Sequence, residues 1–308
     1  MAHILVIRLG ALGDFIQSFG PFAAIRAHHA GDHLTLLTTA PFRPLGEAAP
    51  WFDSVLIDTR PGFWQIGALW RLARLLRGFD FVYDLQTSRR SSLYFRLAGR
   101  PPWSGIAPGC SHPHANPERD FMHTRERQHE QLRMAGIGEF PSPDLAWLVK
   151  RGEVKAPAPP YAVLIPGAAP RHPAKRWPVG RYAALARHLA ERGLRPVIAG
   201  GPAEQALAAA IRAEAPGTED LTGRTDLFGL ARLLAGAALV IGNDTGPMHL
   251  ATALDRPAIV LFSGASDPAL TAPRYPDGGW PVVLRAPDLA QLPAERVVEA
   301  LPLAHRPA

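Results

Sequence analysis

VIRLGALGDF, Val6 to Phe15, sets aliphatic and β-branched residues directly before a glycine turn and an acid. A strand that ends in such a turn and enters a helix is how a Rossmann-like sheet begins. Gly10 and Gly13 let the turn bend tightly and let another molecule approach its backbone. Asp14 then stands where a phosphate would sit. As a helix N-cap it would contribute roughly 1 kcal/mol. As a ligand group it would repel a pyrophosphate at the same helix end. The alternative is a general base facing across a cleft, with a nucleotide held by another domain. The turn also lacks the full GxGxxG spacing, so a dinucleotide site has little support here.

Outward from this turn, strand patterns alternate with helical ones. HILVIRL is followed by a helical pattern over about 14–28, the strand HLTLLTT, the strand SVLID, a helix over about 63–76 and the strand FVYDLQ. This order predicts an α/β fold with a parallel sheet and crossover helices. Residues 101–117, rich in Pro, Gly and His, read as a long loop, and a helix is predicted over 124–135. KRGEVKAPAPP, Lys150 to Pro160, has three prolines and no periodicity, and reads as a linker. A second alternation follows, from YAVLIP through LRPVIAGG and ALVIGN to PAIVLF, with an amphipathic closing segment over 293–301. The expected organisation is an N-terminal Rossmann-like domain over 1–155 and a C-terminal one over 156–308.

A chain of 308 residues, 47% hydrophobic and 19% charged, belongs with globular proteins and can bury two cores. No apolar run approaches the roughly 20 residues that span a bilayer. No secretory signal pattern opens the sequence, and the single cysteine, Cys110, excludes an internal disulfide, so a cytoplasmic location is expected. The net charge of +6 is spread evenly: residues 1–155 hold 18 Lys+Arg and 14 Asp+Glu, and the rest 15 and 13. This balance does not argue for nucleic acid.

Ligands of open parallel sheets gather at the carboxyl ends of the strands. IGNDTGPMHLA, Ile241 to Ala251, offers Asp244, Thr245 and Gly246 at a helix start, with Pro247 in the first turn. Such a terminus suits a diphosphate; a well-capped helix with His249 packed on the sheet is the other reading. PGAAPRHPAKRWP, Pro166 to Pro178, brings Lys175, one of only three lysines, to the same edge. Lysine suits a phosphate as a point charge, although a solvated surface lysine would look the same in sequence. Glu204 in GGPAE could accept from a ribose or serve the helix start it precedes. His112, His114, His123 and His129 near Cys110 match no zinc spacing, so no metal site is expected. Walker A, HExxH and GxSxG sequences are absent.

RLGALGD (Arg8 to Asp14), KRWP (Lys175 to Pro178), GGPAE (Gly200 to Glu204) and above all GNDTGPMHLATALDRPAIVLF (Gly242 to Phe262) resemble glycosyltransferase family 9, the bacterial heptosyltransferases of lipopolysaccharide core synthesis. The resemblance implies a GT-B fold, two Rossmann-like doubly wound domains facing across a cleft, with ADP-L-glycero-D-manno-heptose bound mainly by the C-terminal one. It makes Asp14 the general base of an inverting transfer. Lys175 would neutralise the diphosphate, Thr245 and Gly246 would hold it, Asp244 and His249 would line the pocket, and Glu204 would face the ribose. Gly13, Ala168 and Ala169 complete the implied donor contacts; the two alanines stand where some heptosyltransferases have hydroxyl residues. No metal and no cofactor beyond the nucleotide-sugar donor are implied. An anionic acceptor of the Kdo–lipid A type would meet basic residues chosen by position: Arg60, Arg89, Arg90, Arg119, Arg125 and Arg127. The expected place of action is the cytoplasmic face of the inner membrane, touched peripherally. A family 9 enzyme using another sugar, a silent nucleotide-sugar-binding protein and an NAD(P) oxidoreductase remain the alternatives.

Overall fold

The computed structural model of the protein describes residues 1–62, 64–168 and 173–301. Ala169 lies outside them. Two compact units divide the chain, Met1–Trp147 and Leu148–Ala308.

The first unit is built on six strands: β1 (His3–Ile7), β2 (His33–Thr38), β3 (Ser54–Ile57), β4 (Phe81–Asp84), β5 (Trp103–Gly105) and β6 (His112–Pro113). They lie parallel in the order β3-β2-β1-β4-β5-β6. Helices cover both faces of such a sheet, which is why β1 reads as an unbroken apolar run rather than an alternation. Leu5 and Ile7 join one buried cluster with Leu72, Leu76, Val82, Tyr94 and Trp103. Elsewhere in the unit, Phe15, Phe19, Phe22, Trp51 and Trp147 pack edge to face or tilted, with ring centroids 5.3–6.2 Å apart.

The second unit holds β7 (Tyr161–Ile165), β8 (Arg195–Ile198), β9 (Glu219–Asp220), β10 (Leu239–Asn243), β11 (Ala258–Phe262) and β12 (Val282–Arg285), all parallel in the order β12-β11-β10-β7-β8-β9. Counted from its own first strand, this sheet repeats the order of the first. Each sheet therefore has one point where the winding reverses, between β1 and β4 and between β7 and β10, and ligands of doubly wound sheets collect there. The closing helix Ala294–Glu299 buries Val297 in the same cluster as Leu185, Leu189 and Ile241.

Three expectations change. The helix over 14–28 is two helices, Leu12–Gln17 and Phe19–His28, meeting at Ser18. Pro21 has no N–H and its ring would clash with the carbonyl of Gln17 in one continuous helix; restarting at Phe19 places it in a first turn. The long loop over 101–117 contains β5 and β6. Both are short, and the edge position of β6 tolerates Pro113. Finally, Arg89–Leu97 is a helix that hydrophobic patterning does not announce. Ser88 caps it, its hydroxyl accepting from the Ser91 N–H while the Ser91 hydroxyl accepts from the Ser88 N–H.

Candidate active site

In the first unit, the turn after β1 bends at Gly10, whose φ of +106° suits glycine and whose Cβ, if present, would collide with the Phe42 ring. The helix Leu12–Gln17 starts on Ala11, with no side chain capping it. Asp14 is therefore not its N-cap. It sits in the first turn, where the helix dipole favours an anion, its side chain 44% exposed and its Oδ1 3.4 Å from Arg8 Nη2.

Arg8 is almost fully buried and donates to the backbone oxygens of Asp14 and Leu85. Burial lowers the Arg8 pKa from its usual value, against the pull of Asp14. A buried, hydrogen-bonded guanidinium thus fixes both the turn and the position of the exposed carboxylate. Gln86, after β4, steadies the same turn by accepting from the Leu9 N–H at 2.8 Å.

Asp84, the last residue of β4, is fully buried, and its Oδ1 accepts from the N–H groups of Gln86 and Thr87. Burial pushes its carboxyl up to about 6, opposed by those hydrogen bonds and by Arg8.

The structure gathers four of the six position-chosen arginines at this sheet edge. Arg60 donates to the Leu9 carbonyl, Arg90 to the Pro61 carbonyl and Arg119 to the Thr87 hydroxyl, at 3.0, 3.3 and 2.6 Å. Arg127 lies near enough to Arg8 and Arg119 to lower the pKa of each, after burial as the main cause. Arg89 is an exposed first residue of its helix, and Arg125 lies beside His129. The histidines of this region take local roles. His114 pairs with Glu130, His123 caps the helix Thr124–Met134, and His129 stacks on Phe140.

The second unit builds its edge differently. Gly242 in β10 lets the helix Gly246–Ala253 pack closely, since a Cβ there would lie 2.6 Å from Ile165 Cβ and 2.7 Å from Met248 Sδ. Thr245 is the N-cap residue, but its hydroxyl makes no cap bond, and Pro247 follows in the first turn. Among the described residues no side chain caps this start, which suits it to an outside acceptor.

Asp244 is buried and gathers two donors on Oδ2, Lys175 Nζ at 2.5 Å and Ser266 Oγ at 2.7 Å. Lys175, 17% exposed, is thus a held cation rather than a surface lysine. His249 is buried on the same helix.

Fully buried Asn243 braces this edge. Its amide donates to the carbonyls of Pro166 and Gly167, and its oxygen accepts from the Trp177 N–H and the Tyr182 hydroxyl. Glu204 lies across Gly167, where a Cβ would come 2.7 Å from its Cγ, and accepts from the Gly201 N–H. It serves its own turn while reaching the end of β7. Ala168 is buried, its carbonyl accepting from Arg176.

Lys175, Asp244, Thr245 and Gly246 therefore share one edge, with Glu204 beside it. Sequence reasoning passed over Arg8, Asn243 and Gln86 as side chains with roles. The first two stand inside quoted motifs, and a charged or amide residue at the end of an apolar strand was the available signal. Ser266, after β11, carries no such signal.

The sequence profile described as Glycosyltransferase family 9 (heptosyltransferase) matches residues 69–278. That stretch includes Lys175, Glu204 and the Asp244–His249 run, while Asp14 precedes it. Among curated relatives, Lipopolysaccharide heptosyltransferase 2 of Salmonella typhimurium is 28% identical over 298 residues, covering 88% of this chain and 85% of its own length. Lipopolysaccharide heptosyltransferase 1 of Pseudomonas aeruginosa is 26% identical over 293 residues, covering 87% and 80%. Among solved structures, E. coli heptosyltransferase WaaC with ADP-2-deoxy-2-fluoro heptose superposes with a TM-score of 0.76 at 22% identity, covering 96% of this chain and 98% of that one. The GT-B architecture of these enzymes is the one seen here. With its profile matched over 210 of 308 residues, on top of two sheets of the same winding, this chain is a glycosyltransferase belonging to family 9, the heptosyltransferases.

Proposed function

We propose that the protein transfers a heptosyl residue from ADP-L-glycero-D-manno-heptose to the inner core of lipopolysaccharide, with inversion at the anomeric carbon and without a metal. The observation that carries this reading is the β7/β10 edge, where Lys175, Asp244 and an uncapped helix start converge. Lys175 and the N–H groups at Gly246 meet the diphosphate, Asp244 accepts from sugar hydroxyls, and Glu204 faces the ribose. His249, Ala168 and Gly13 line the donor's surroundings. The relative solved with an ADP-heptose analogue supports this choice of donor.

Asp14 takes the proton from an acceptor hydroxyl as that oxygen bonds to the anomeric carbon. The bond from that carbon to the diphosphate oxygen breaks, and ADP leaves with the electron pair. Charge growing on the departing oxygen is met by groups already in place, the most effective form of electrostatic catalysis. Arg60, Arg90, Arg119 and Arg127 receive the negative groups of a Kdo–lipid A type acceptor, which places the enzyme peripherally at the cytoplasmic face of the inner membrane.

The test is mass-spectrometric detection of sugar transfer to Kdo2–lipid A, offered ADP-heptose beside ADP-glucose and UDP-glucose, with and without EDTA. A mass gain of one heptose, from ADP-heptose alone and unchanged by EDTA, is the expected result. Preferred transfer of another sugar, or loss of transfer on chelation, contradicts the donor or the metal-independence respectively.

A further inference from the structure

We propose that the segment around the helix Ile66–Leu75 is a docking surface for an anionic lipid bilayer. Among the described residues, four of the nine large exposed apolar side chains fall within twelve positions of one another: Trp64, Ile66, Trp70 and Leu75, at 83, 77, 65 and 45% exposure. The helix is amphipathic in an unusual sense. Leu72 and the adjoining Leu76 enter the buried cluster of the first unit, while Ile66 and Trp70, one turn apart, point to solvent. Water-facing tryptophans of this kind are costly unless something covers them.

Charge decides what covers them. From Thr59 to Phe79 the chain carries Arg60, Arg71, Arg74 and Arg77 and no acidic residue. Arg71, Arg74 and Arg77 are exposed, and the Arg74 guanidinium lies 5.9 Å from the Trp70 ring centroid. Indole rings flanked by arginines suit the headgroup level of a membrane, where the rings leave water and the cations stay among phosphates. A second copy of the same helix would set arginine against arginine. Among the described residues no helix is long and apolar enough to cross a membrane, so contact through this segment is interfacial. The inference deepens the proposed site of action, and its test uses no donor and no glycolipid acceptor, so it stands or falls apart from heptose transfer.

The experiment is co-sedimentation of the full chain with vesicles of phosphatidylethanolamine and phosphatidylglycerol, compared with phosphatidylcholine alone. Binding to the anionic vesicles at least about tenfold tighter than to phosphatidylcholine, weakening as salt is raised, is expected. The combined change Trp64→Ser, Ile66→Ser, Trp70→Ser, and separately Arg71→Gln with Arg74→Gln, should each lower that binding about tenfold or more. Both sets lie on the exposed face, and a wild-type melting temperature confirms that the fold is kept. No binding by wild type, or equal binding to both vesicle types, overturns the proposal. So does unchanged binding by the serine variant, whether or not that variant loses self-association in sedimentation.

Discussion

Asp84 and Asn243 occupy the same place in two sheets of the same winding: each is fully buried at the end of the strand next to the sheet's first. Their chemistry diverges. Asp84 folds its carboxylate onto its own loop, accepting from Gln86 and Thr87 in a neighbourhood of arginines. Asn243 reaches to the other strand's loop and clamps the carbonyls of Pro166 and Gly167. An uncharged brace keeps the β7/β10 edge free of extra negative charge where a diphosphate is proposed to bind. The β1/β4 edge instead combines an exposed acid with a ring of arginines. One winding thus supplies two kinds of site, because function rests on the residues at the switch point and not on the sheet.

The sharpest way to break this comparison is to neutralise the exposed acid. Asp14→Asn should lower single-turnover transfer by roughly 10²–10⁴-fold, the range for losing a general base, with an unchanged melting temperature. Next comes the clamp. Asn243→Asp turns two donated hydrogen bonds into oxygen–oxygen contacts and should cost about 2–4 kcal/mol in urea unfolding.

The matching change, Asp84→Asn, should behave in the opposite way and reveal itself through pH. The folded carboxyl titrates at about 6 against an ordinary 3.8, so the folded chain holds an extra proton between these values and ionisation opposes folding. Relative to the variant, wild type should lose about 2–3 kcal/mol as pH rises from about 4 to 6, and the difference should then stay constant. Melting of both proteins from pH 4 to 8 measures it. The smallest effect is Ser266→Ala, which removes one hydrogen bond to Asp244 and should raise the donor KM by about fivefold, near 1 kcal/mol.

Much of this pairing was legible in sequence. Buried parallel strands are continuous apolar runs, so β1, β7, β10 and β11 stand out, and turns such as GALGD and NDTGP punctuate them. Strands of two or three residues carry weak patterns, which hid β5 and β6, and the edge strand β12 buries little. The helix at Arg89 is announced by a serine cap rather than by apolar spacing. Motif residues Lys175, Asp244, Thr245 and Gly246 do meet at one edge. The arginines were harder to sort, because only tertiary contacts separate Arg60, Arg90 and Arg119, tied to loops at that edge, from Arg89. Lys175 carried a further fact that no motif conveys, since its partner Asp244 lies 69 positions away.

The division of labour between the two edges is tested most directly by calorimetric titration of ADP into wild type, Asp14→Asn and Lys175→Met. The account predicts that Asp14→Asn binds ADP within about twofold of wild type, as expected for a group acting on the acceptor, and that Lys175→Met binds at least about tenfold more weakly, the loss of a charge-assisted contact. Equal weakening in both variants, or wild-type affinity in Lys175→Met, would contradict it.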